Sequence, residues 1–263
     1  MTPSELAAYL DRIRYGGPRE PGRAALTALH EAHVGAIPFE NLDILLGRPI
    51  RLEPEALLAK LVVARRGGYC FEQNSLFLGA LTALGFAARP LAARVRAGTS
   101  ELRPRTHMLL RVELVEGPFL ADVGFGGEGP VHPIPFTAGH EAWTLDTGYR
   151  LRREDELWVL QGNLTGEWAD LYAFGLEAQH AVDFEMANHF TSTWPASSFR
   201  HALTAQRSWP GGRAILRNRD LTLREGQRSR QEQVRDPEHL LELLASHFGL
   251  AFPSGTRFSR PEF

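Results

Sequence analysis

The amino-acid sequence predicts an α+β fold, because helical and strand patterns occupy different stretches of the chain. Residues 3–84 have the apolar spacing of successive helices, interrupted at Gly16-Gly17-Pro18, Ile37-Pro38 and Arg48-Pro49. Residues 86–175 instead show short strand patterns, such as Phe86 to Val95 and Leu157 to Gln161. This change in composition separates a helical unit from a β unit.

The remaining segments extend the prediction toward both ends of the chain. Thr2-Pro3-Ser4-Glu5 opens like a capped helix. Ala178 to Asn188 can form a connecting helix, residues 200–235 return to strand patterns, and Pro237 to Phe248 predicts a final helix. The charge-rich run Asp220 to Arg235 is typical of a solvated strand face or a mobile loop.

The composition argues against several function classes. The chain has 263 residues and a formal net charge of −2, so it lacks the basic excess of a nucleic-acid or membrane-surface protein. No apolar run approaches the roughly 18 residues of a membrane span, and nothing resembles a targeting signal, so we expect a cytoplasmic protein. Lys60 is the only lysine, which leaves almost no candidate for a Schiff base or a Walker phosphate lysine.

Cys70 is the only cysteine, so an intramolecular disulfide and a multi-cysteine metal site are excluded. The apolar spacing after Gln73 predicts an amphipathic helix with Cys70 in its first turn, where unpaired amides and the helix dipole favour a thiolate. The preceding Gly67 and Gly68 allow a sharp turn and a close approach to a ligand. These features favour a nucleophile, although a free cysteine can also be an inert core residue.

A nucleophilic thiolate needs a base that a third group orients, and the β unit offers both. His107 begins a strand pattern that runs to Leu114, and Asp122 follows a second strand pattern after the turn Glu116-Gly117-Pro118. Pairing of these two strands in a hairpin would bring the imidazole and the carboxylate together. His107 and Asp122 are therefore the candidate base and orienting acid.

The chain resembles the arylamine N-acetyltransferases of bacterial type in four motifs and, more faintly, in a fifth. The matching segments are Ile37-Pro38-Phe39-Glu40-Asn41-Leu42, Arg66-Gly67-Gly68-x-Cys70-x-Glu72-x-Asn74, Thr106-His107-Met108, Asp122-Val123-Gly124-Phe125-Gly126, and Phe190-Thr191-Ser192-Thr193 continuing to Ser198-Phe199. The resemblance implies a catalytic triad of Cys70, His107 and Asp122. It also implies acetyl-coenzyme A as co-substrate, with no permanently bound cofactor, and a small aromatic amine or hydrazine as acceptor.

The same resemblance implies three domains around a cysteine-protease-like catalytic core. Residues 1–85 would form a helical bundle carrying the nucleophile, and residues 86–195 a β-barrel with a connecting helix carrying the histidine and the aspartate. Residues 196–263 would form an α/β lid. Xenobiotic metabolism is the implied role, and a homodimer is left open.

Coenzyme contacts are expected at Thr106, Gly124, Gly126 and Gly127. The glycine-rich run after Asp122 imitates a dinucleotide-binding fingerprint, but that fingerprint must open a helix and here Pro130, Pro133 and Pro135 follow. The run is better interpreted as a loop whose amides approach the coenzyme A pyrophosphate, as the resemblance also suggests. A plain structural loop is the alternative.

The resemblance also suggests acceptor-binding and supporting residues. Four aromatic side chains are expected to wall an apolar acceptor slot: Phe39, Tyr69, Phe125 and Phe199. Arg66 and Glu72 lie close enough in sequence to pair around the Cys70 turn and to hold it. Trp194 stands where many members of the family have histidine, so the sequence departs from the family's pattern at this position of the lid side.

No metal is expected, and two rival activities stay open. His30-Glu31-Ala32-His33 imitates a zinc motif, but its histidines are three residues apart rather than four. A cysteine hydrolase or transglutaminase uses the same order of cysteine, histidine and aspartate. An amide synthase that closes a macrolactam would share the fold.

Overall fold

Helices precede and follow the strands along the chain. The computed structural model describes residues 1–99, 101–144, 147–163, 166–226 and 228–261. The helices are α1 (Pro3–Arg12), α2 (Arg23–Ala36), α3 (Leu42–Leu45), α4 (Pro54–Leu57), which continues as a π-helix (Leu58–Val63), α5 (Cys70–Ala83), α6 (Ala181–Thr193), α7 (Ser198–His201) and α8 (Pro237–Phe248). None of them is long and apolar enough to cross a lipid bilayer.

The strands form two antiparallel sheets. They are β1 (Phe39–Glu40), β2 (Ala87–Val95), β3 (His107–Glu113), β4 (Phe119–Ala121), β5 (Ile134–Pro135), β6 (Glu141–Thr144), β7 (Thr147–Glu154), β8 (Leu157–Asn163), β9 (Trp168–Phe174), β10 (Thr204–Trp209), β11 (Gly212–Arg217), β12 (Asp220–Glu225) and β13 (Arg228–Gln233). The larger sheet is a nearly closed barrel with the order β5-β4-β3-β2-β9-β8-β7-β6, and the smaller sheet has the order β1-β10-β11-β12-β13. The α+β fold class is confirmed.

The first and last helices begin where the sequence predicts. Thr2 and Glu5 form a capping box at the start of α1. Asp236 accepts a hydrogen bond from the His239 amide at 2.9 Å at the start of α8, which ends at Gly249 with φ +67°. Local capping chemistry fixes these boundaries.

Two predictions need correction, and one open alternative is decided. The connecting helix lies at Ala181–Thr193 rather than 178–188, because Asp183 caps the amide of His180 at 2.8 Å. Of the two interpretations of the charge-rich run, the largely exposed strand face is confirmed for Asp220–Glu225 and Arg228–Gln233, which pair as β12 and β13. Helix α5 is not amphipathic in its first half, where Cys70 to Asn74 are all buried, because it packs against β2 and β3 as well as against α1 and α4.

The smaller sheet joins the two ends of the chain. Strand β1 pairs antiparallel with β10, so Phe39 lies opposite Gln206. Leu42 and Leu45 are buried in the same apolar cluster as residues of β10, β11 and α8. The segment that follows Phe39 therefore packs in the apolar core formed by β10, β11 and α8.

Candidate active site

Cys70 lies at the first position of α5, as the sequence predicts. The preceding residue, Tyr69, donates its amide hydrogen to the Glu72 carboxylate at 3.1 Å, which fixes the start of the helix. The Cys70 side chain is buried with 4% exposure, and its Sγ donates to the carbonyl oxygen of Thr106 at 3.6 Å. The thiol thus sits at the positive end of the helix dipole and away from bulk water.

The hairpin of β3 and β4 brings His107 and Asp122 together. His107 opens β3, Asp122 follows β4, and the two strands pair at Leu110 and Ala121. The ring Nε2 of His107 donates to Asp122 Oδ2 at 2.7 Å, and the Cys70 side chain lies near enough to the ring to help raise its pKa. Because Nε2 is bound to the carboxylate, Nδ1 is the ring nitrogen left to face the thiol. The three side chains predicted as a triad are in contact in that order.

The Asp122 carboxylate is held by four donors. Oδ2 accepts from His107 and from the Tyr172 hydroxyl at 2.9 Å. Oδ1 accepts from Asn74 Nδ2 and from the Gly124 amide, both at 3.0 Å. Burial alone would raise the pKa of Asp122, but His107 and these donors outweigh it and hold the pKa below its ordinary value. The group is a fixed carboxylate.

His107 is correspondingly basic. Burial alone would lower its pKa, but the adjacent Asp122 carboxylate and the hydrogen bond to Cys70 raise it to about 10. The imidazolium is therefore the favoured form at neutral pH. A proton taken from the thiol would be held on His107 beside Asp122, which is the arrangement that activates a cysteine nucleophile.

Two residues that support Asp122 were not assigned roles in the sequence analysis. Asn74 stands within the Cys70 motif and bridges Asp122 to the backbone, donating to the Met108 carbonyl at 2.8 Å and accepting from the Val123 amide at 3.1 Å. Tyr172 lies on β9, and its fully buried ring packs on His107 with centroids 4.8 Å apart. No local pattern distinguishes such a tyrosine from an ordinary core residue.

His30 and His33, which imitate a zinc motif in the sequence, stabilise the site from α2. His30 Nε2 accepts from the Asp122 amide at 3.1 Å, so Nδ1 carries the hydrogen and donates to the Val131 carbonyl at 2.8 Å. His33 accepts from the Tyr9 hydroxyl at 2.9 Å and donates to Gln73 at 3.2 Å. Among the described residues, no group of three or more His, Cys, Asp or Glu side chains is arranged to hold a metal ion.

These two histidines predict a fall in stability in mild acid. Burial lowers the pKa of His30 from 6.5 to about 4 and that of His33 to about 3. Between pH 6.5 and about 4 the unfolded chain therefore binds more protons, so their contribution is fully present above pH 6.5 and is lost as the pH falls. Each histidine should contribute about 1.4 kcal/mol per pH unit to the slope of the unfolding free energy.

Urea unfolding at several pH values between these limits measures that slope. His33→Gln should reduce it by about 1.4 kcal/mol per pH unit, because one titrating ring is removed. Tyr9→Phe is the matched control, since it removes the hydroxyl partner and keeps the ring, and it should retain the slope. An unchanged slope in His33→Gln would contradict the assignment of this part of the pH dependence to His33.

The glycine run after Asp122 is a loop, as predicted, but its glycines have different roles. Gly124 donates its amide to Asp122, and a Cβ built on it would lie 2.7 Å from the Cys70 Cα. Its amide is therefore not free to bind the coenzyme, and the position serves close packing; another contact of Gly124 with the coenzyme stays a prediction. Gly126 and Gly127 have positive φ angles of +73° and +38°, and no acceptor among the described residues takes their amide hydrogens. Thr106 accepts from Cys70 Sγ through its carbonyl, and its contact with the coenzyme stays a prediction.

The ring contacts of the four predicted acceptor aromatics form two groups. Phe199 packs on Phe39 and on Tyr69, with ring centroids 6.1 and 5.6 Å away. Phe125 packs on the rings of His107 and Tyr172, and it lines a small cavity together with Phe39. Tyr69 is fully buried and its hydroxyl binds Asn188, so it supports Phe199 from behind instead of lining an open wall.

The prediction that Arg66 pairs with Glu72 is wrong, because each residue binds a different partner. Arg66 binds Glu40 at 2.7 Å and Asp43 at 3.2 Å, whereas Glu72 binds Lys60 at 2.7 Å. The reason is that the Glu72 carboxylate turns back to cap the helix that contains it, and Lys60 reaches it there while also contacting Asp43 at 2.8 Å. Both residues do belong to one ionic cluster beneath the Cys70 turn.

Comparison with known proteins gives a consistent result. The family model described as N-acetyltransferase matches residues 24–256. The arylamine N-acetyltransferase of Escherichia coli (strain K12) is 43% identical over 253 residues, covering 95% of this chain and 90% of that protein. The solved structure of arylamine N-acetyltransferase from Salmonella typhimurium has a TM-score of 0.91 at 41% identity, covering 95% of this chain and 92% of that one. The structure of the Mycobacterium marinum enzyme in complex with CoA has a TM-score of 0.88 at 37% identity, covering 93% and 92%.

Proposed function

The chain belongs to the arylamine N-acetyltransferase family, and on that premise we propose that it carries an acetyl group from acetyl-coenzyme A to an aromatic amine or hydrazine through an acetyl thioester on Cys70. The observation that carries the proposal is the hydrogen bond of His107 to Asp122 at 2.7 Å beside Cys70, whose Sγ donates to the carbonyl of Thr106, the residue before His107. The names of the relatives support the acceptor class, and the structure of a relative in complex with CoA supports the donor.

The first half of the reaction moves the acetyl group to the enzyme. His107 takes the thiol proton at Nδ1, and the thiolate attacks the carbonyl carbon of the thioester. The amides at the N-terminus of α5 are positioned to receive the negative charge on the carbonyl oxygen. The bond to the coenzyme sulfur breaks, coenzyme A leaves with the proton from His107, and Cys70 carries the acetyl group.

The second half transfers the group to the acceptor. The amine nitrogen attacks the acetyl carbonyl, His107 accepts the proton that the nitrogen loses, and the Cys70–acetyl bond breaks to restore the thiol. Asp122 holds Nε2 protonated throughout, so Nδ1 remains the atom that exchanges protons. Coenzyme A therefore leaves before the amine reacts.

Intact-protein mass spectrometry tests this sequence. Acetyl-coenzyme A alone should add the mass of one acetyl group to the protein, and an aromatic amine should then remove it with formation of the amide. Cys70→Ala should take up no label. Labelling that persists in Cys70→Ala would overturn the proposal, and so would a label that water removes as fast as the amine does, because that result describes a hydrolase.

A further inference from the structure

Four arginines surround a cavity of about 320 Å³ that is lined by the end of α1, by α2, by β10 and by the end of α8. Arg12 and Arg14 come from the end of α1, Arg65 from the turn after the π-helix, and Arg207 from β10. Apolar residues, among them Ile13 and Phe248, complete the wall. We call this cavity the arginine pocket.

Arg12 brings a buried charge to the arginine pocket without a carboxylate to balance it. Its residue exposure is 6%, and its donors bind the carbonyl oxygens of Leu61, Ala36 and Arg65 at 3.0, 2.8 and 3.4 Å. Across the described ranges, no acidic side chain forms an ion pair with any of the four arginines. Carbonyl oxygens therefore satisfy the Arg12 donors, but no carboxylate neutralises its buried charge.

Arg207 adds an unsatisfied donor. Its Nε is enclosed and has no hydrogen-bond partner among the described residues, while its Nη1 reaches the His247 carbonyl at only 3.5 Å. An enclosed donor that lacks an acceptor costs about 1–3 kcal/mol. An acceptor placed in the arginine pocket would remove this cost.

The backbone places the two remaining arginines at the rim under strain. Arg14 and Arg65 have positive φ angles of 55° and 52°, although neither is glycine. A non-glycine residue in the left-handed region costs about 1–2 kcal/mol, and this conformation is common directly after a helix end. Each strained residue lies just beyond a helix end, which turns the chain at the edge of the arginine pocket.

The electrostatic consequence is visible in Arg12. Burial and, after it, the nearby charges of Arg65, Arg207 and Arg14 together lower the pKa of Arg12 to about 10. Like charges gathered without a counter-ion repel one another. A bound anion would reverse that repulsion.

We propose that the arginine pocket binds a small molecule that carries a multivalent phosphate group. Guanidinium forks match phosphate oxygens in pairs, and several positive charges favour a diphosphate over a monovalent carboxylate. The volume lies at the lower end of the range for small-molecule sites, and the apolar wall offers a surface for an organic portion. The site is separate from Cys70 and does not depend on the proposed acetyl transfer.

Isothermal titration calorimetry at fixed ionic strength tests the proposal, with pyrophosphate as the probe. The unsubstituted protein should show saturable binding. Arg14→Gln with Arg65→Gln should weaken it at least about tenfold, because two exposed charges at the rim are lost. Arg19→Gln with Arg217→Gln is the matched control, since it removes two exposed charges elsewhere and should leave the affinity unchanged.

The outcomes show which phosphate compound binds better and whether it binds in the arginine pocket or elsewhere. Tighter binding of ADP than of pyrophosphate would identify an organic phosphate, and the reverse order would identify free pyrophosphate as the better ligand. Absence of saturable binding would overturn the proposal. Equally tight binding of pyrophosphate by both double variants would also overturn the proposal, because the anion would then lie elsewhere, for example on the glycine loop.

Arg65→Gln alone provides a milder variant if the double variant melts early, and it should still weaken binding measurably.

The binding of pyrophosphate in the arginine pocket is expected to be independent of acetyl transfer. Cys70→Ala should bind pyrophosphate as the unsubstituted protein does, so a failed labelling experiment and a failed titration are distinguishable. Loss of pyrophosphate binding in Cys70→Ala would place the anion at the Cys70 site and contradict the arginine pocket.

Discussion

Asp122→Asn is expected to slow acetylation of Cys70 by about 10⁴, the scale of the equivalent change in a serine-protease triad. Each carboxylate oxygen of Asp122 accepts from two donors, so either orientation of an asparagine amide turns its NH₂ group toward two other donors. If the NH₂ group faces His107, Nε2 must become an acceptor. The ring hydrogen then moves to Nδ1, and the base that faces Cys70 is lost.

Single-turnover acetylation followed by intact mass measures this loss. Tyr172→Phe is the matched control, because it removes one neutral donor to the same carboxylate and leaves the charge in place. It should slow the reaction by about tenfold or less. A loss below about tenfold in Asp122→Asn, in a soluble protein with a normal melting temperature, would leave Asp122 as a structural acid at the end of its strand.

The arrangement of the candidate site could be predicted where local patterns determine it. The position of Cys70 at a helix start follows from the glycines before it and the apolar spacing after it. The contact of His107 with Asp122 follows from a hairpin, in which two short strands and the turn between them fix which residues meet. Such features depend on neighbours within a few residues along the chain.

Contacts between distant segments could not be predicted in this way. Tyr172 is separated from Asp122 by 50 residues and His30 by 92, and both reach it only because β9 and α2 pack around the same hairpin. The ionic partners of Arg66 also depend on distance in space. Glu40 is 26 residues away and competes successfully with the nearer Glu72, whose carboxylate is already occupied.

The junction of the N-terminal and C-terminal units explains why the aromatic residues divide into two groups. Pairing of β1 with β10 carries Phe39 toward Phe199, whereas Phe125 remains with the barrel and the ring of His107. Sequence patterns place each aromatic residue on an element but do not tell which elements meet. The acceptor-binding contribution of each ring therefore remains a prediction.

Gly124→Ala is expected to damage the site by moving the loop that carries Asp122 away from Cys70 at the start of α5. The added Cβ would lie 2.7 Å from the Cys70 Cα, 2.8 Å from Asn74 Nδ2 and 3.1 Å from the Cys70 carbonyl oxygen. Two of these atoms are backbone atoms of α5, so a side-chain rotation cannot relieve the clash. The loop that carries Asp122 must move away from Cys70, which should lower the unfolding free energy by about 1–3 kcal/mol.

The chemical effect of Gly124→Ala should exceed its effect on stability. Misplacement of a reacting group by about 1 Å can cost about a hundredfold in rate, and here the shift separates the thiol from the base that Asp122 orients. Single-turnover acetylation at a temperature where the protein is folded should therefore fall about a hundredfold or more. Gly16→Ala is the control, because a Cβ at Gly16 meets nothing within 4 Å, and it should react at the unsubstituted rate. A Gly124→Ala protein that acetylates within about threefold of the unsubstituted rate would show that the close approach of the loop to Cys70 does not set the geometry of the reacting groups.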